Sequence, residues 1–372
     1  MQNFKFSQQD HQFMALAIEL AKKGRFTCTP NPAVGCVLVK NGEIVGKGYH
    51  EKAGEPHAEV MAMREAGEKA SGATAYVTLE PCSHYGRTPP CAKGLIEAGV
   101  ECVVAAMQDP NPQVAGRGLK MLADAGIETA VGLLQQQAEQ LNKGFLKRMR
   151  TGFPYVQLKM AISIDGRTAM ANGESQWITG EAARQDVQQY RAMASAILSS
   201  SKTVLADNAA LNVRWQQLPL EVQSIYPQEK LRQPLRVILD SQHQIEPKGR
   251  LFESESPILL VSPSARNMAH FPAFCQQQQL VESPYYLTDL LNLLGKQQIN
   301  SVWVEAGATL AGALIEAGLV DELIVYIAPK LLGDQAKGLC HLPQLQHLKD
   351  APQWRLSDVS LIGDDVKLVY IK

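Results

Sequence analysis

Residues 57–59 read His-Ala-Glu, and residues 73–91 read ATAYVTLEPCSHYGRTPPC. These two stretches decide the first half of the chain. His57, Cys82 and Cys91 are the borderline and soft donors that Zn2+ prefers. Three protein ligands leave a fourth tetrahedral position for water, as catalytic zinc sites do. The metal lowers the pKa of that water toward neutrality. Glu59 stands two residues after His57, too close for a helical i, i+4 pair. At a helix start, however, His57 lies outside the regular spiral, so both side chains are expected to face one cavity. A carboxylate there can carry a proton from the water to a leaving nitrogen. Cys82 follows a strand, Ala73 to Leu79, and Cys91 precedes a helix, Ala92 to Ala98. Amide dipoles at a helix start favour thiolate over thiol.

This is the zinc-deaminase signature H-x-E followed by P-C-x-x-C, with eight residues instead of two between the cysteines. On the generic spacing Cys91 stays open as a ligand or a core thiol, and His57 alone as a surface histidine. Pro81-Cys82 in register after a strand favours the metal. Cys36 and Cys102 lie within apolar strands and are assigned to the core, whereas the sequence assigns no role to Cys28, Cys275 and Cys340.

Outward from this motif, strands alternate with helices. Phe13 to Lys22 has helical apolar spacing, with Gly24 as its expected stop. The strand Val34 to Lys40 leads through Asn41-Gly42, the strongest hairpin signal in the chain, into Ile44 to Tyr49. A helix over 58–70, the strand Val100 to Met107 and a helix over 118–126 complete a three-layer α/β domain. A polar, helix-like connection over 133–152 carries basic residues between Lys143 and Arg150, and Gly152-Phe153-Pro154 breaks it.

The second half is α/β again. Strands are expected over 155–162, 196–198, 235–239, 258–261, 301–304 and 322–327, with a helix near 180–194. A Gln- and Pro-rich stretch, 215–233, reads as an insertion or lid. No G-x-G-x-x-G follows a strand. Instead, Ser301 to Val304 runs into Glu305-Ala-Gly307-Ala-Thr-Leu-Ala-Gly312, which opens a helix. Glycines there either admit a phosphate to the helix amides or serve only the turn.

The 372 residues suggest two domains, or at most three. Lys+Arg 36 against Asp+Glu 37 lacks the basic excess of a dedicated nucleic-acid binder. No apolar run reaches the ~18 residues of a membrane span, and the N-terminus lacks a secretory layout. A cytoplasmic setting with reduced thiols is expected, so the seven cysteines do not read as a disulfide framework.

The long inter-cysteine loop, the stretch HAEV, Thr29-Pro-Asn31-Pro-Ala-Val-Gly35, QDPNPQVAGRG (108–118) and NKGF (142–145) together closely resemble the bifunctional riboflavin-biosynthesis deaminase/reductase family. In that family the longer loop is the rule. The resemblance implies a cytidine-deaminase-like domain over 1–146 and a dihydrofolate-reductase-like domain over 147–372. It implies Zn2+ and NADPH as cofactors. The expected reactions are hydrolytic removal of the 2-amino group from a phosphoribosylamino-diaminopyrimidinone, then reduction of the ribosyl to a ribityl chain. His57, Cys82 and Cys91 would hold the metal and Glu59 would be catalytic. Asn31, His50 and His84 would hold the pyrimidine, and Arg87 the phosphate.

The reductase pattern is carried by KMAISIDGRTA (159–169), Gly173-Glu-Ser-Gln-Trp-Ile-Thr179 and VEAGATLAGAL (304–314). By position, Ala161, Trp177, Thr203, Asp207, Ser241, Gly307, Ala308, Thr309, Leu310, Ala311, Gly312 and Ala313 would line NADPH. Ser175, Arg191, Leu211, Arg214 and Glu305 would hold substrate. Trp177 is alternatively a core aromatic and Arg191 a solvated helix cation. Lys159 is a candidate for polar contact or proton donation, or alternatively a surface lysine. Ala209 and Asn212 stand where the family has Pro and Thr, which is expected to loosen that loop. The resemblance also suggests a homodimer through the reductase half. Two other readings share the zinc motif: a nucleic-acid-editing deaminase with an accessory domain, which the neutral charge disfavours, and a structural zinc module, which would need a fourth protein ligand and gives Glu59 no role.

Overall fold

The computed structural model describes residues 5–84, 89–111, 114–281, 283–284 and 286–372. Arg87 lies outside the described residues. The chain divides into two compact units between Gly152 and Phe153. No helix among the described residues is long and apolar enough to cross a membrane.

The first unit runs α1 (Gln8–Gly24), β1 (Gly35–Lys40), β2 (Glu43–Tyr49), α2 (Ala58–Ala66), β3 (Thr74–Val77), α3 (Cys91–Glu97), β4 (Cys102–Ala105), α4 (Arg117–Asp124), β5 (Glu128–Val131), α5 (Gln135–Leu141) and α6 (Lys143–Thr151). The sheet order is β2-β1-β3-β4-β5. The hairpin β1–β2 is antiparallel, and β3, β4 and β5 are parallel. Asn41 and Gly42 both take positive φ, 53° and 79°, as a two-residue hairpin turn of matching twist requires. Strand alternation builds two cores. Val37 and Val39 pack with α1, α5 and α6, while Cys36 and Leu38 face α2, α3 and α4. The domain is therefore three-layered, helices covering both faces of one sheet.

One helix start and one strand differ from the sequence expectation for local reasons. Helix α1 begins at Gln8 because Ser7 and Asp10 form a capping box. Gly24 ends α1, yet its requirement is steric, because a Cβ there would lie 2.2 Å from the His50 carbonyl oxygen. Strand β5 went unrecognised because its polar ends (Glu128, Thr129) mask a short parallel edge. Phe145 and Leu146 of α6 are buried in the first unit, and Gly152, at φ 79°, caps that helix.

The second unit runs β6 (Tyr155–Ser163), β7 (Arg167–Ala169), α7 (Glu181–Met193), β8 (Ala196–Ser200), α8 (Ser201–Asp207), α9 (Leu220–Ile225), β9 (Leu235–Leu239), β10 (Ile258–Ser262), β11 (Cys275–Gln279), α10 (Tyr286–Lys296), β12 (Ser301–Glu305), α11 (Ala308–Glu316), β13 (Glu322–Ala328), β14 (Lys337–Gly338), β15 (Arg355–Ile362) and β16 (Asp365–Ile371). Nine strands form one sheet in the order β11-β10-β9-β8-β12-β6-β13-β16-β15. The run from β11 to β13 is parallel, and β16 and β15 add antiparallel. One face packs on α10 and α11 through Val156, Leu158, Val302 and Val304, and the other on α7 through Ile197, Trp303, Ile324 and Tyr326. Strand β12 comes late in the sequence yet lies between β8 and β6. Such a reversal of strand order opens a crevice beyond the carboxyl ends of the strands, where ligands bind in open α/β sheets.

Candidate active sites

In the first unit, β2 and α2 approach closely because Gly48 has no side chain; a Cβ there would come within 2.5 Å of the Ala58 carbonyl oxygen. His57 is the N-cap of α2 with extended backbone (φ −72°, ψ 163°), and Glu59 lies in the first turn. His57 thus stands outside the regular spiral, and the buried Glu59 carboxyl is close enough to His57, Cys82 and Cys91 to feel all three. Cys91 opens α3, and its backbone N–H donates to Cys82 Sγ at 3.3 Å.

His57 Nδ1 stands 3.2 Å from Cys91 Sγ and 3.7 Å from Cys82 Sγ. All three donor atoms lie within 4.8 Å of one another. Tetrahedral zinc bonds of about 2.1 Å to nitrogen and 2.3 Å to sulfur place such atoms roughly 3.6 Å apart. The donor set thus fits the metal in chemistry and in spacing. Hydrogen bonds from the Cys91 thiol and His57 outweigh burial and draw Cys82 down to about 4. Cys91, sharing that proton beside the Cys82 sulfur, is pushed up, and a bound divalent cation reverses this by favouring both thiolates. Glu59 is buried at 4% exposure, and burial pushes its carboxyl up to about 7.

The pyrimidine candidates partly converge. Asn31 Nδ2 donates to His50 Nε2 at 3.0 Å, so His50 carries its proton on Nδ1 and donates to the Pro56 carbonyl at 3.2 Å. The His50 ring meets the His57 ring edge to face at 5.3 Å. Burial lowers the pKa of His50. Asn142 of the NKGF stretch explains why Asn31 sits there: its amide receives the Ala33 N–H at 2.8 Å and donates to the Ala33 carbonyl at 2.9 Å. His84 is exposed beside the cysteines. Sequence reasoning passed over Asp109, which is buried at 7% and electrostatically coupled to His84 and Cys82. A carboxylate inside QDPNPQ was the available signal. It also passed over Glu80, whose carboxylate accepts backbone N–H groups from Asp109, Gly116, Gly118 and Leu119. Cys36 and Cys102 are core residues as expected, and Cys275 is buried too.

In the second unit, the named residues gather at the carboxyl ends of adjacent parallel strands. Lys159 lies at the middle of β6 and Ala161 near its end, Thr203 and Asp207 follow β8, Ser241 follows β9, and Glu305 ends β12. Residues 307–313 cap and open α11, with Gly307 and Thr309 exposed, while Ala311 and Gly312 face inward. At Gly312 a Cβ would meet the His341 carbonyl oxygen at 1.9 Å, so that glycine serves close packing. Lys159 and Glu305 are register partners across β6 and β12, on the face covered by α7. Arg191 on α7 clasps Glu305 with two hydrogen bonds, Nε to Oε1 at 2.5 Å and Nη2 to Oε2 at 2.8 Å. The Trp303 indole N–H adds a third at 2.9 Å. Arg191 is only 9% exposed, which removes the solvated-cation alternative. Burial pushes Lys159 down, against the pull of Glu305.

Ser175 Oγ donates to Asp207 Oδ1 at 3.1 Å, joining two loops of the crevice. Trp177 is 61% exposed with the Arg184 guanidinium over its ring at 4.8 Å, so it is no core aromatic. An exposed indole, the exposed Gly307 and Thr309 at the start of α11 and the neighbouring strand ends suit a dinucleotide. The loop at 209–214 is pinned although Pro and Thr are absent. Arg236 donates to the Ala210 carbonyl, Arg191 to the Asn212 carbonyl and Gln188 accepts the Arg214 N–H, while Gln233 bonds both backbone groups of Val213. Asn212 Oδ1 is buried without a hydrogen-bond partner. The expected insertion at 215–233 is a packed flank of this loop, tied down where the Trp215 indole N–H meets the Tyr226 carbonyl and where Arg232 meets the Ala192 and Ala194 carbonyls.

Comparison with known proteins agrees with both units. The family model for the cytidine and deoxycytidylate deaminase zinc-binding region matches residues 7–107, and the RibD C-terminal domain model matches residues 154–368. The riboflavin biosynthesis protein RibD of Haemophilus influenzae is 64% identical over 366 residues, covering 98% of each chain. The Escherichia coli protein of that name is 61% identical, covering 97% of this chain and 98% of its own. Among solved structures, Acinetobacter baumannii RibD (form 2) superposes with a TM-score of 0.90 at 46% identity over 98% of this chain and 99% of its own. A diaminohydroxyphosphoribosylaminopyrimidine deaminase/5-amino-6-(5-phosphoribosylamino)uracil reductase of Thermotoga maritima gives 0.85 at 32% identity over 98% of both. Zinc and NADPH are the cofactors of such a deaminase and reductase pair. With both halves matched in order and its relatives aligned end to end, the chain belongs to the RibD family of riboflavin biosynthesis proteins.

Proposed function

We propose that the first unit deaminates 2,5-diamino-6-(5-phosphoribosylamino)pyrimidin-4(3H)-one, and that the second reduces the resulting 5-amino-6-(5-phosphoribosylamino)uracil to its ribityl form. The observation that carries this reading is a buried Glu59 beside three zinc donors, on one chain with a separate crevice built around Glu305 and Arg191. His57, Cys82 and Cys91 would hold zinc, which would supply a water acidic enough to attack near neutral pH. Glu59, whose carboxyl burial brings near the working pH, takes the proton of the attacking water and hands it to the departing amino nitrogen. Asn31 and His50 hold the pyrimidine edge, His84 adds a contact, and Arg87 meets the phosphate.

NADPH supplies the hydride in the second unit. Ala161, Trp177, Thr203, Asp207, Ser241 and the 307–313 turn hold it, the amides at the start of α11 receiving phosphate. Glu305, Ser175, Leu211, Arg191 and Arg214 hold the substrate, Arg214 presenting a guanidinium to its phosphate. Lys159, next to Glu305, is placed to donate a proton as the sugar ring opens. The partner of this enzyme is a small phosphorylated pyrimidine in the cytoplasm, not a nucleic acid. A homodimer forms through the reductase half, where β15 leaves Val359 and Leu361 exposed on the sheet edge.

Purified chain given the diaminopyrimidinone phosphate and NADPH is expected to release ammonia and to lose absorbance at 340 nm. Glu59→Gln is expected to lower deamination by about 10^2-fold or more while leaving reduction of added deaminated intermediate unchanged. Loss of both activities in a folded variant would overturn the two-site reading.

A further inference from the structure

We infer that Glu80 is a positioning residue for the zinc site: its carboxylate fixes the Cys82 turn in register with the loop that carries Asp109. Glu80 is 3% exposed. Its Oε1 accepts the N–H groups of Gly118 at 2.9 Å and Leu119 at 3.3 Å, and Oε2 those of Gly116 at 2.9 Å and Asp109 at 3.1 Å. Its own N–H donates to the Met107 carbonyl at 3.0 Å. One side chain therefore joins the end of the β3 segment to the 107–109 strand exit and to the first turn of α4. Four converging donors demand a group that only accepts, and a carboxylate at a helix start also meets the positive end of the helix dipole.

The packing around this carboxylate leaves little slack. At Gly118 a Cβ would lie 1.9 Å from the Pro81 carbonyl oxygen, and at Gly116 (φ +83°) one would lie 2.4 Å from Gln108 Nε2. Pro81 separates Glu80 from Cys82, and its ring fixes φ. The ring removes one backbone rotation between Glu80 and the residue that offers sulfur to the metal, so the placement of Glu80 bears directly on Cys82. Asp109, whose N–H is one of the four donors, also accepts the Asn111 N–H at 2.8 Å, so the same carboxylate holds the backbone around Asp109 in place. A glutamine in its place keeps the size but turns an NH2 toward two of the donors.

The inference rests on zinc being held by His57, Cys82 and Cys91, and the test separates the two. Full-length wild type and Glu80→Gln are titrated against a chromophoric zinc chelator. Ammonia release reads the deaminase, and NADPH oxidation with added deaminated intermediate reads the reductase. Glu80→Gln is expected to bind zinc roughly 10-fold to 100-fold more weakly, the range seen when support around metal ligands is removed. Deaminase turnover should fall at zinc levels that saturate wild type, with reductase kcat and KM unchanged. Wild-type zinc affinity and deaminase kcat in the variant would overturn the inference. Should Glu80→Gln unfold the first unit by circular dichroism, Glu80→Asp decides. It keeps the charge but shortens the reach to the four N–H groups, and wild-type zinc affinity in a folded Glu80→Asp chain would equally overturn the proposal. A wild-type chain that binds no zinc would sink both the ligand assignment and this role.

Discussion

Glu305 is buried, yet it is held as an anion. Burial alone would raise its carboxyl; the Arg191 charge and hydrogen bonds, with Lys159 and the Trp303 N–H, overcome this and hold it at about 2. The side chains of the pair are only 14% and 11% exposed, so solvent screens them little. A carboxyl depressed from 4.5 to about 2 stabilises the folded state above the unfolded value, by about 3 kcal/mol at neutral pH. That contribution shrinks as pH falls from about 4.5 toward 2. Glu305→Gln is therefore expected to destabilise the second unit by about 3 kcal/mol at pH 7 and by much less near pH 3, read by urea unfolding at the two pH values. An equal loss at both would show that the ion pair contributes nothing through its charge. A second residue acts through neutral bonds. Asn142 pairs with both backbone groups of Ala33 inside the first core. Asn142→Ala should cost about 2–4 kcal/mol by leaving those groups unpaired, and it should raise the deaminase KM because Asn31 lies two residues from the freed segment. An unchanged KM in the folded variant would remove Asn142 from the support of that site.

At the scale of elements, side chains replace a lost proline in the loop after α8. Arg236, with no exposed surface, donates to the carbonyls of Ala210, Leu251, Ser254 and Ser256. Arg236→Met strands those carbonyls and is expected to cost about 3 kcal/mol or more. The reductase KM for substrate should rise, since Leu211 and Arg214 lie in the loop it ties, while ammonia release stays at the wild-type rate. Equal losses in both activities would show global damage and not a loop effect. Such clamps also mark where sequence reading stops. The zinc donors were legible because His57-x-Glu59 and Pro81-Cys82 are local patterns tied to a strand end and a helix start. The parallel core of the second unit was legible as apolar runs. Strands β11 and β15 were not, because CQQQQ and RLSDVSLI lie at sheet edges, where polar residues are tolerated on solvent-facing positions. Asn142 was legible only as part of a motif. Its partner is 109 residues away, and no spacing rule links a buried amide to a backbone that distant. Arg191 and Glu305, 114 apart, were named by resemblance, and only the structure shows that each completes the other.

For the whole molecule, the order of the two reactions makes the zinc site control the reductase through chemistry alone. The second unit acts on what the first produces, so the cofactor dependence of NADPH oxidation should change with the substrate supplied. Dialysis against a strong chelator is expected to abolish ammonia release, since His57, Cys82 and Cys91 offer no fourth protein ligand among the described residues to retain the metal once it is competed away. Given the diaminopyrimidinone phosphate, the stripped chain should then oxidise no NADPH. Given the deaminated aminouracil phosphate, it should oxidise NADPH at the wild-type rate, because the crevice beyond β8, β12 and β6 contains none of the zinc donors. Returning Zn2+ should restore both readouts with the first substrate. Should stripping zinc slow reduction of the added aminouracil, the metal would be supporting the second unit as well, and the division of labour between the two compact units would be wrong.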